Sequence, residues 1–384
     1  MNKKIVVLHI THFPPPFAGT QSFNKRVFDF LKEKQINFKS LNLSSKIFYD
    51  NRIINIKFKT VKNILEIILK PLFLYKLKKN IKKKYFLEVP INRLLKDSIK
   101  ANAIRKVLDY KCEYSVLCDH LGKNELVFAI LKEFGYKIRI NTYLHGSGIL
   151  ERYDTNPEYY KRYTNLTDTF IVGSNYMKKI YLDKKDRVND VRICPPTLLP
   201  DNYYEFYEDK RNSIVFVGTL NWKKNPMFIL EEIKNFKEIL GKYQFTFIGN
   251  GPLLNEMIEF VKKYKLENIT FLGEITNTEV EEFLKRSKYL IQPSKVETFG
   301  IAIVEAMAKG TVPIVSDAGG MKEIFTEKAG YVFKNEPGEL VKVFKEIISD
   351  NNNFEAKSMN AFKESLAYRS EVTGKKLINI LLEE

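Results

Sequence analysis

The chain has 384 residues, of which 44% are hydrophobic and 28% are charged, and it carries a formal net charge of +17 at pH 7. Because a single hydrophobic core stops growing at roughly 250 to 300 residues, this length predicts two globular domains. Cys112, Cys118 and Cys194 lack C-x-x-C spacing, which argues against a disulfide scaffold or a zinc site and is typical of reduced thiols in the cytosol.

The first apolar run, "IVVLHI", is short and leads into "THFPPP" without a small-residue cleavage site. We interpret it as the first β-strand and not as a signal peptide. The most apolar later stretch, "ILEIILKPLFLYKL", is interrupted by Glu66, Lys70 and Pro71, so it falls short of the ~18 uninterrupted apolar residues of a membrane span. The sequence therefore predicts a cytoplasmic protein that does not cross the membrane.

The segment 57–84 is strongly basic, with ten lysines against the single acid Glu66, and Ile, Leu, Phe and Tyr are interleaved with them. One interpretation is a basic amphipathic helix on an anionic membrane surface, where each lysine contributes about 1 kcal/mol. The other is a solvated face of a lysine-rich protein, and the sequence leaves both open. We expect no nucleic-acid partner, because no helix-turn-helix, zinc-finger or aromatic RNA-binding motif accompanies the charge.

In chain order, apolar strand-like runs alternate with amphipathic helical runs through the first half, which is typical of a parallel α/β sheet. The predicted strands lie near residues 4–10, 36–43, 114–118, 137–144, 168–172 and 190–194. The predicted helices include residues 20–34, 122–134 and 174–182.

The stretch 195–213 breaks this alternation with prolines and polar residues, and we interpret it as a linker. The alternation then resumes, with strands predicted in the runs "SIVFVG", "YQFTFIG", "NITFLG", "KYLIQPS", "TVPIVS" and "GYVF". The predicted fold class is therefore α/β, with two doubly wound Rossmann-like domains that bind ligands at the carboxyl ends of their strands. The expected parts are a first domain 1–200, a second domain 201–365 and a C-terminal helix 366–384 that could return to the first domain.

Three loops of the second domain follow a predicted strand and precede a helix, which places them at a ligand site. In "GTLNWKKNP", Gly218 allows a tight turn, and Lys223 and Lys224 offer ammonium groups that suit phosphate. The glycine loop "GNGP", residues 249–252, permits close approach of a ligand. In "ETFG", Gly300 precedes an apolar helix whose first backbone amides can bind an anion.

Glu297 and Glu305 lie eight positions apart, and the second is surrounded by the apolar helical run "IAIVEAMA". This pattern predicts that Glu305 is buried, and an unpaired buried charge costs several kcal/mol. Hydrogen bonds from a ligand rich in hydroxyl groups would offset that cost. Two alternatives stay open. A lysine or a backbone amide could satisfy Glu305, and "SKVE" could be a capping box in which Glu297 ties down a helix that begins at Ser294.

The run "PSKVETFGIAIVEAMAKGTVPIVSDAGGMKEI" resembles the donor-site signature of the retaining GT-B glycosyltransferases with paired glutamates, the group 1 or family 4 type. "VGTLNWKKNP" is similar to that family's glycine-arginine-leucine turn followed by a lysine, and "FIGNGP" and "FLGEI" are similar to further motifs. In the first half, "YLHGSG" resembles the family's histidine-glycine turn and "PPPFAG" its first glycine loop. The resemblance covers nearly the whole chain and is weakest in residues 45–110, where acceptor-binding segments vary.

This resemblance implies the GT-B fold, in which two Rossmann-like domains face each other across a cleft, and a hexosyltransferase-type activity. It implies that the first domain, 1–200, binds the acceptor and that the second domain, 201–365, binds the nucleotide sugar. It assigns Glu305 to the ribose hydroxyls of the donor, Glu297 to its sugar and Lys224 to its diphosphate. His145 is placed beside the transferred sugar, and Gly19 is expected to close over the diphosphate. The implied catalytic residues are His145, Glu297 and Lys224. The implied donor-binding residues are Gly19, Gly218, Thr219, Lys223, Lys224, Gly249, Asn250, Gly251, Ile275, Glu297, Thr298, Phe299, Gly300, Ile301 and Glu305.

The sequence also departs from the family pattern. Thr219 replaces the usual arginine, so one expected phosphate cation is missing unless Lys223 compensates. Ala18 stands where a second glycine is common, and Pro196 and Thr197 stand where an asparagine-glycine turn is common. For His145, the alternative is a histidine satisfied at the end of a strand.

The expected reaction moves a sugar, with retention of configuration, from a nucleotide sugar to a hydroxyl of a glycan or lipid-linked acceptor in bacterial envelope synthesis. A UDP- or GDP-sugar is expected as donor. No cofactor or metal is expected, since no D-x-D motif is present to hold an ion on the diphosphate. Two alternatives are a non-catalytic nucleotide-sugar-binding protein and an NAD-dependent dehydrogenase, although the chain lacks G-x-G-x-x-G after its first strand.

Overall fold

The structure is a computed structural model, and part of the chain is described in it. The basic segment 57–84, most of the first glycine loop and residues 146–154 lie outside this part, so the expectations for them stay predictions. The described residues are 4–10, 19–42, 53–55, 91–105, 107–118, 125–145, 155, 164–183, 190–208, 210–349 and 354–383.

The chain divides into two compact units. It passes from the first to the second between Cys194 and Pro195, slightly before the expected boundary at residue 200. The first unit comprises Met1–Gly173, Lys178–Cys194 and Gly374–Glu384, and the second comprises Ser174–Met177 and Pro195–Thr373.

The first unit contains a parallel sheet. Its strands, within the described residues, are β1 (Lys4–Ile10), β2 (Phe38–Asn42), β3 (Ile53–Asn55), β4 (Glu113–Cys118), β5 (Lys137–Leu144), β6 (Thr169–Val172) and β7 (Asp190–Ile193). They are ordered β3-β2-β1-β4-β5-β6-β7, and every pairing between neighbours is parallel. The chain therefore builds outward from β1 on one side and then returns to build on the other, which is doubly wound topology.

The second unit repeats this plan. Its strands, again within the described residues, are β8 (Arg211–Val217), β9 (Gln244–Ile248), β10 (Ile269–Gly273), β11 (Ser287–Gln292), β12 (Val312–Ser316) and β13 (Tyr331–Phe333). The order is β10-β9-β8-β11-β12-β13, all parallel. The winding direction reverses between β8 and β11, so the loops that leave these two strands flank the switch point.

Helices connect the strands in both units. No helix of the described residues combines the length and apolarity needed to cross a lipid bilayer. The described helices are α1 (Gly19–Glu33), α2 (Ile91–Arg105), α3 (Glu125–Glu133), α4 (Asn175–Asp183), α5 (Pro226–Asn235), α6 (Lys237–Leu240), α7 (Leu254–Tyr264), α8 (Asn277–Arg286), α9 (Ile301–Met307), α10 (Glu339–Ser349), α11 (Phe354–Ser365) and α12 (Ser370–Leu382).

The central strands of the second unit's sheet are buried on both faces. Along β8, Ile214 and Phe216 join one hydrophobic cluster, and Val215 between them joins the other. Successive side chains of a strand point to opposite faces, so one strand contributes to both cores. A sheet covered on both faces explains why the strands are continuous apolar runs that the sequence reveals easily.

The segment predicted to be a linker is packed against the second unit. Lys309, which is fully buried, donates from Nζ to the Tyr203 carbonyl and pairs with Glu281 Oε1 at 2.7 Å. Lys210 donates to the Lys309 carbonyl at 2.6 Å, and burial together with the Lys309 charge lowers the pKa of Lys210 to about 7. The segment predicted to be a linker is therefore part of the folded second unit, because the Lys210 and Lys309 amines fix it before β8.

Candidate active site

The ends of β8 and β11 bring two loops together at the switch point of the second sheet. The strands are direct parallel neighbours, and Gln292 Nε2 at the end of β11 donates to the Val217 carbonyl at the end of β8 at 2.7 Å. Residues 218–225 follow β8 and residues 293–300 follow β11. In doubly wound sheets, ligands bind in the crevice at this position.

An ion pair joins these two loops. Lys224 Nζ donates a hydrogen bond to Glu297 Oε2. The side chains are 28% and 13% exposed, respectively, so the pair is largely shielded from water. The second carboxylate oxygen, Oε1, accepts from the backbone amides of Thr298 at 3.0 Å and Phe299 at 3.5 Å. Both oxygens of Glu297 are thus engaged within the protein.

These contacts fix the charge of Glu297. Burial acts to raise the pKa of its carboxyl, but the Lys224 ammonium and the amides of Phe299 and Thr298 outweigh burial and hold the pKa below its usual value. Glu297 is therefore ionised at neutral pH and is an acceptor for ligand hydroxyls. The resemblance names Thr298 and Phe299 among the donor-binding residues, and in the structure their amides bind this carboxylate.

The loop that carries Lys224 is shaped by one asparagine. Asn221 Oδ1 accepts from the backbone amides of Lys223 at 3.1 Å and Lys224 at 3.0 Å, which folds the loop into an Asx turn. Asn225 then adopts a left-handed conformation with φ 53°, and Pro226 begins α5. The Lys223 carbonyl accepts from the Lys295 amide at 2.7 Å, so the two site loops are also joined through the backbone.

The glycines after β8 and β9 serve the packing of loops against each other. Gly249 has φ +130°, and a Cβ atom there would lie 2.1 Å from the Gly218 carbonyl oxygen. A Cβ at Gly251 would lie 2.4 Å from the Leu220 carbonyl oxygen, while the Asn250 carbonyl accepts from the Leu220 amide at 2.9 Å. The sequence predicted that a ligand approaches this glycine loop closely. In the structure, the backbone of the neighbouring loop makes the close approach.

Two glycines after β12, to which the sequence pattern assigned no role, support Glu297. Gly320 donates from its amide to the Glu297 carbonyl at 3.0 Å. A Cβ at Gly319 would lie 1.8 Å from that carbonyl oxygen, and one at Gly320 would lie 2.3 Å from the Thr298 carbonyl oxygen. The available signal was the "AGG" run directly after β12, since paired glycines at a strand end mark close backbone approach.

The helix after Glu297 differs from expectation in its start and in its burial. It begins at Ile301 after Gly300, which has φ +105°, so the capping-box alternative with a helix starting at Ser294 is wrong. Glu305 is only half-buried, and it shares this more open face of α9 with Ile301 and Ala302. The prediction of a fully interior Glu305 is therefore wrong, because α9 buries one stripe and not its whole surface.

The remaining predicted donor residues of the second unit have different environments. Phe299 is 6% exposed, with its ring 5.7 Å from that of Tyr368, so its side chain belongs to the core. Ile275 is partly buried against the same cluster, and Thr219 is exposed. Lys223 Nζ lies 5.6 Å from the centroid of the Trp222 ring.

Two predicted site residues belong to the first unit. Gly19 begins α1, and His145 follows β5 and is partly exposed. The His145 ring is stacked on Tyr143 at 4.3 Å between centroids and meets Phe23 edge-on at 4.7 Å. These contacts fix the plane of the imidazole. Across the described part of the chain, no group of three or more His, Cys, Asp or Glu side chains is placed to hold a metal ion.

Comparison with known proteins identifies the region that carries this site. Residues 205–365 match the family model of the glycosyl transferases group 1. The matched region thus contains the Lys224–Glu297 pair and all the glycines described around it. The "Uncharacterized glycosyltransferase MJ1178" of Methanocaldococcus jannaschii is 29% identical over 213 residues, covering 54% of this chain and 58% of that protein. The chain spans 37% to 58% of the first curated relatives that it matches.

Solved structures extend the likeness in fold to the whole chain. The crystal structure of Anabaena HepE in complex with UDP and glucose is similar with a TM-score of 0.73 and 13% identity, covering 100% of both chains. WaaG, a glycosyltransferase involved in lipopolysaccharide biosynthesis, is similar with a TM-score of 0.65 and 12% identity over 99% of this chain and 100% of WaaG. The predicted α/β class is confirmed, and the parallel sheets match those of GT-B glycosyltransferase structures.

We expect Lys224→Met to destabilise the protein by about 1 to 3 kcal/mol, because it leaves a largely buried carboxylate without its cation. The stabilisation from the lowered pKa of Glu297 is present above the unfolded value of 4.5 and is lost as the pH falls through the lower folded value. The difference in unfolding free energy between wild type and variant should therefore shrink below pH 4.5. Urea unfolding from about pH 3 to 7 measures it.

The matched control is Lys262→Met, which removes an exposed lysine paired with Glu259 on α7. Its cost should stay within about 0.5 kcal/mol at every pH. A Lys224→Met cost that is equally small, or that does not change with pH, would contradict the assigned role of the pair.

Proposed function

We propose that the chain is a retaining glycosyltransferase that moves a sugar from a nucleotide sugar to a hydroxyl of a glycan or lipid-linked acceptor. The observation that carries this proposal is the shielded Lys224–Glu297 pair at the switch point of the sheet, inside the region that matches the group 1 model. An ammonium and a carboxylate side by side suit a ligand in which a diphosphate adjoins a sugar rich in hydroxyls.

Lys224 is proposed to bind the diphosphate of the donor. An ammonium has three N–H donors, and Glu297 accepts one, so Lys224 can bind a phosphate oxygen while it keeps its carboxylate partner. When the bond between the anomeric carbon and the phosphate oxygen breaks, negative charge grows on the diphosphate. A preoriented cation in a shielded site stabilises that charge more than water does.

The glutamates are proposed to bind the two sugars of the donor. Glu297, held ionised, accepts hydroxyls of the transferred sugar, and Glu305, on the more open face of α9, accepts the ribose hydroxyls. Gly300 and the residues around it approach the phosphates. His145 and Gly19 complete the donor site by resemblance alone, and their roles stay proposals.

The proposed chemistry requires no metal and retains the configuration of the anomeric carbon. The acceptor oxygen forms its bond to that carbon on the face that the phosphate oxygen leaves, and the acceptor proton passes to the departing phosphate oxygen. The charge of the leaving group is then neutralised by Lys224 and by this proton. The other donor-binding groups orient the sugar but do not react.

Nucleotide binding is the first test of this site. We expect Lys224→Met and Glu305→Gln each to raise the calorimetric Kd for UDP or GDP at least tenfold, because each removes a charge that contacts the ligand; tenfold corresponds to about 1.4 kcal/mol. Lys262→Met should leave the Kd unchanged, and circular dichroism should show all three variants folded. Unchanged Kd values in both site variants would refute the assigned pocket.

The reaction course is tested with a panel of UDP- and GDP-sugars. Proton NMR of the first product formed should show the donor's anomeric configuration, and a chelator should leave the rate unchanged, because Lys224 takes the place of a cation on the diphosphate. Slow donor hydrolysis without acceptor should also be measurable. An inverted product contradicts retention, and loss of rate with the chelator contradicts metal independence. If nucleotide sugars bind but none is cleaved, the protein is a binding protein and the proposed enzymatic function is refuted.

We further propose that the protein works at the inner face of a bacterial membrane in envelope polysaccharide or glycolipid synthesis. Support comes from the ten lysines of segment 57–84 and from the likeness in fold to WaaG. We expect the protein to sediment with vesicles that contain anionic lipid, and neutralising the lysines at 76, 78 and 79 should reduce sedimentation severalfold, since each contributes about 1 kcal/mol. Equal sedimentation of both proteins would end this proposal.

A further inference from the structure

Trp222 is an exposed aromatic side chain on the first loop of the candidate site. It is the only tryptophan of the chain, and it is 58% exposed. Aromatic side chains bury roughly 150 to 250 Å² when they are covered, so leaving an indole in water forgoes a large hydrophobic gain. The folding of the second unit therefore gives no reason for a tryptophan at this position.

The backbone on both sides of Trp222 is held in place. Before it, the Leu220 amide donates to the Asn250 carbonyl at 2.9 Å. After it, the amides of Lys223 and Lys224 both donate to Asn221 Oδ1, and the Lys223 carbonyl accepts from the Lys295 amide at 2.7 Å. A ligand that stacks on this indole would order little backbone, which lowers the free-energy cost of binding.

Trp222 lies next to the groups proposed to bind the donor. It precedes Lys224 by two residues, so their Cα atoms are at most ~7.6 Å apart. The two sites differ in exposure, because Lys224 and Glu297 are 28% and 13% exposed and the indole is 58% exposed. Small ligands usually bury 70–90% of their surface, roughly, against the groups that bind them. The indole therefore suits a part of the substrate that extends toward solvent.

The surface chemistry of Trp222 suits a sugar ring. The face of an indole carries negative electrostatic potential and attracts cations and polarised C–H groups. Lys223 Nζ already lies 5.6 Å from the ring centroid. One face of a pyranose ring presents C–H groups that can stack on an indole, and its hydroxyl groups can accept from the neighbouring ammonium.

We propose that Trp222 is the stacking platform for a sugar ring of the acceptor and that Lys223 binds a hydroxyl of the same ring. Trp222 then selects acceptors, while Lys224 and Glu297 bind the donor. This inference rests on the proposed function. It adds a contact to the acceptor from the second unit, besides the acceptor-binding segments expected in the first domain, and it explains why an exposed tryptophan adjoins the donor-binding lysine.

The single tryptophan allows a direct binding test. Octyl glycosides of glucose, galactose, mannose and N-acetylglucosamine are titrated into the wild-type protein saturated with UDP or GDP, and Trp222 emission is recorded. Stacking should shift the emission to shorter wavelength with saturation for at least one glycoside, because the sugar displaces water from the indole. The absence of a shift with every glycoside overturns the proposal.

Kinetics with the glycoside that binds then tests function. Trp222→Ala should raise the KM for the glycoside at least tenfold and leave the rate of donor hydrolysis and the nucleotide Kd within twofold of wild type. Trp222→Phe keeps an aromatic face, so its KM for the glycoside should stay within about threefold of the wild-type value. Tyr110→Ala removes an aromatic of matching exposure, 59%, from the first unit and should change none of these values.

A nucleobase or a membrane surface could contact the indole in place of an acceptor sugar. Each would give a different result, and each result overturns the proposal. A nucleobase stacked there would shift the emission with UDP or GDP alone, and Trp222→Ala would raise the nucleotide Kd tenfold. A membrane surface would shift it with vesicles of phosphatidylglycerol but not with glycosides. If the wild type binds no nucleotide, the proposed function itself fails. If the wild type binds nucleotide and no glycoside shifts the Trp222 emission, the proposed acceptor contact at Trp222 is refuted and the proposed function is not.

Discussion

The ion pair between Lys224 and Glu297 lies at one edge of a sheet and is shielded from water. This pair constrains the loops that surround it. Separating Lys224 from Glu297 would strand a poorly hydrated charge, and that cost exceeds the energy of most single contacts. The surrounding groups act to prevent it. Asn221 turns the lysine loop toward the edge of the sheet, and Gly319 and Gly320 let the next strand's loop pack against the glutamate backbone. Backbone contacts thus support the site, and those at Gly319 and Gly320 leave no room for a Cβ atom.

The same constraint gives the site its chemical character. Charges in a shielded pocket interact more strongly with one another and with a ligand than charges in water do. Because the pair and its amide donors are already aligned, a ligand bound there would require little rearrangement of the protein. Around this ordered interior lies a more open rim, where Thr219 and Trp222 are exposed. A rigid interior and an open rim suit a substrate with one invariant portion and one variable portion.

Much of this architecture could be predicted from sequence because both sheets are parallel and largely covered. Each buried strand is then a short apolar run, and all six runs predicted in the second half are strands in the structure. The exceptions have physical reasons. The strand Ile53–Asn55 has only three residues, and the helix Ile91–Arg105 lies in a basic region without clear periodicity, so neither was predicted.

The site was predictable in its residue types but not in its internal bonding. The motif placed Lys224 and Glu297 in one pocket, yet their direct pairing depends on β8 and β11 being neighbours, which no local pattern encodes. The exposure of Glu305 was misjudged because apolar residues surround it in the sequence. In the structure, Ile301 and Ala302 lie with it on the partly exposed face of α9. The linker was misjudged for the opposite reason, since its polar sequence includes Lys210, which anchors it to the Lys309 carbonyl, and the Tyr203 carbonyl, which accepts from the buried Lys309.

The strand order also determines when during synthesis this edge of the sheet is completed. β8 pairs on one side with β9, which follows it after 26 residues (218–243), but on the other side with β11, which follows it only after 69 residues (218–286). Until then, one side of β8 remains an apolar edge with open hydrogen-bonding groups, which is a template for aggregation. Closing such a distant pairing is slow because chain entropy opposes it. The nascent second unit therefore passes through a vulnerable interval that ends when β11 docks.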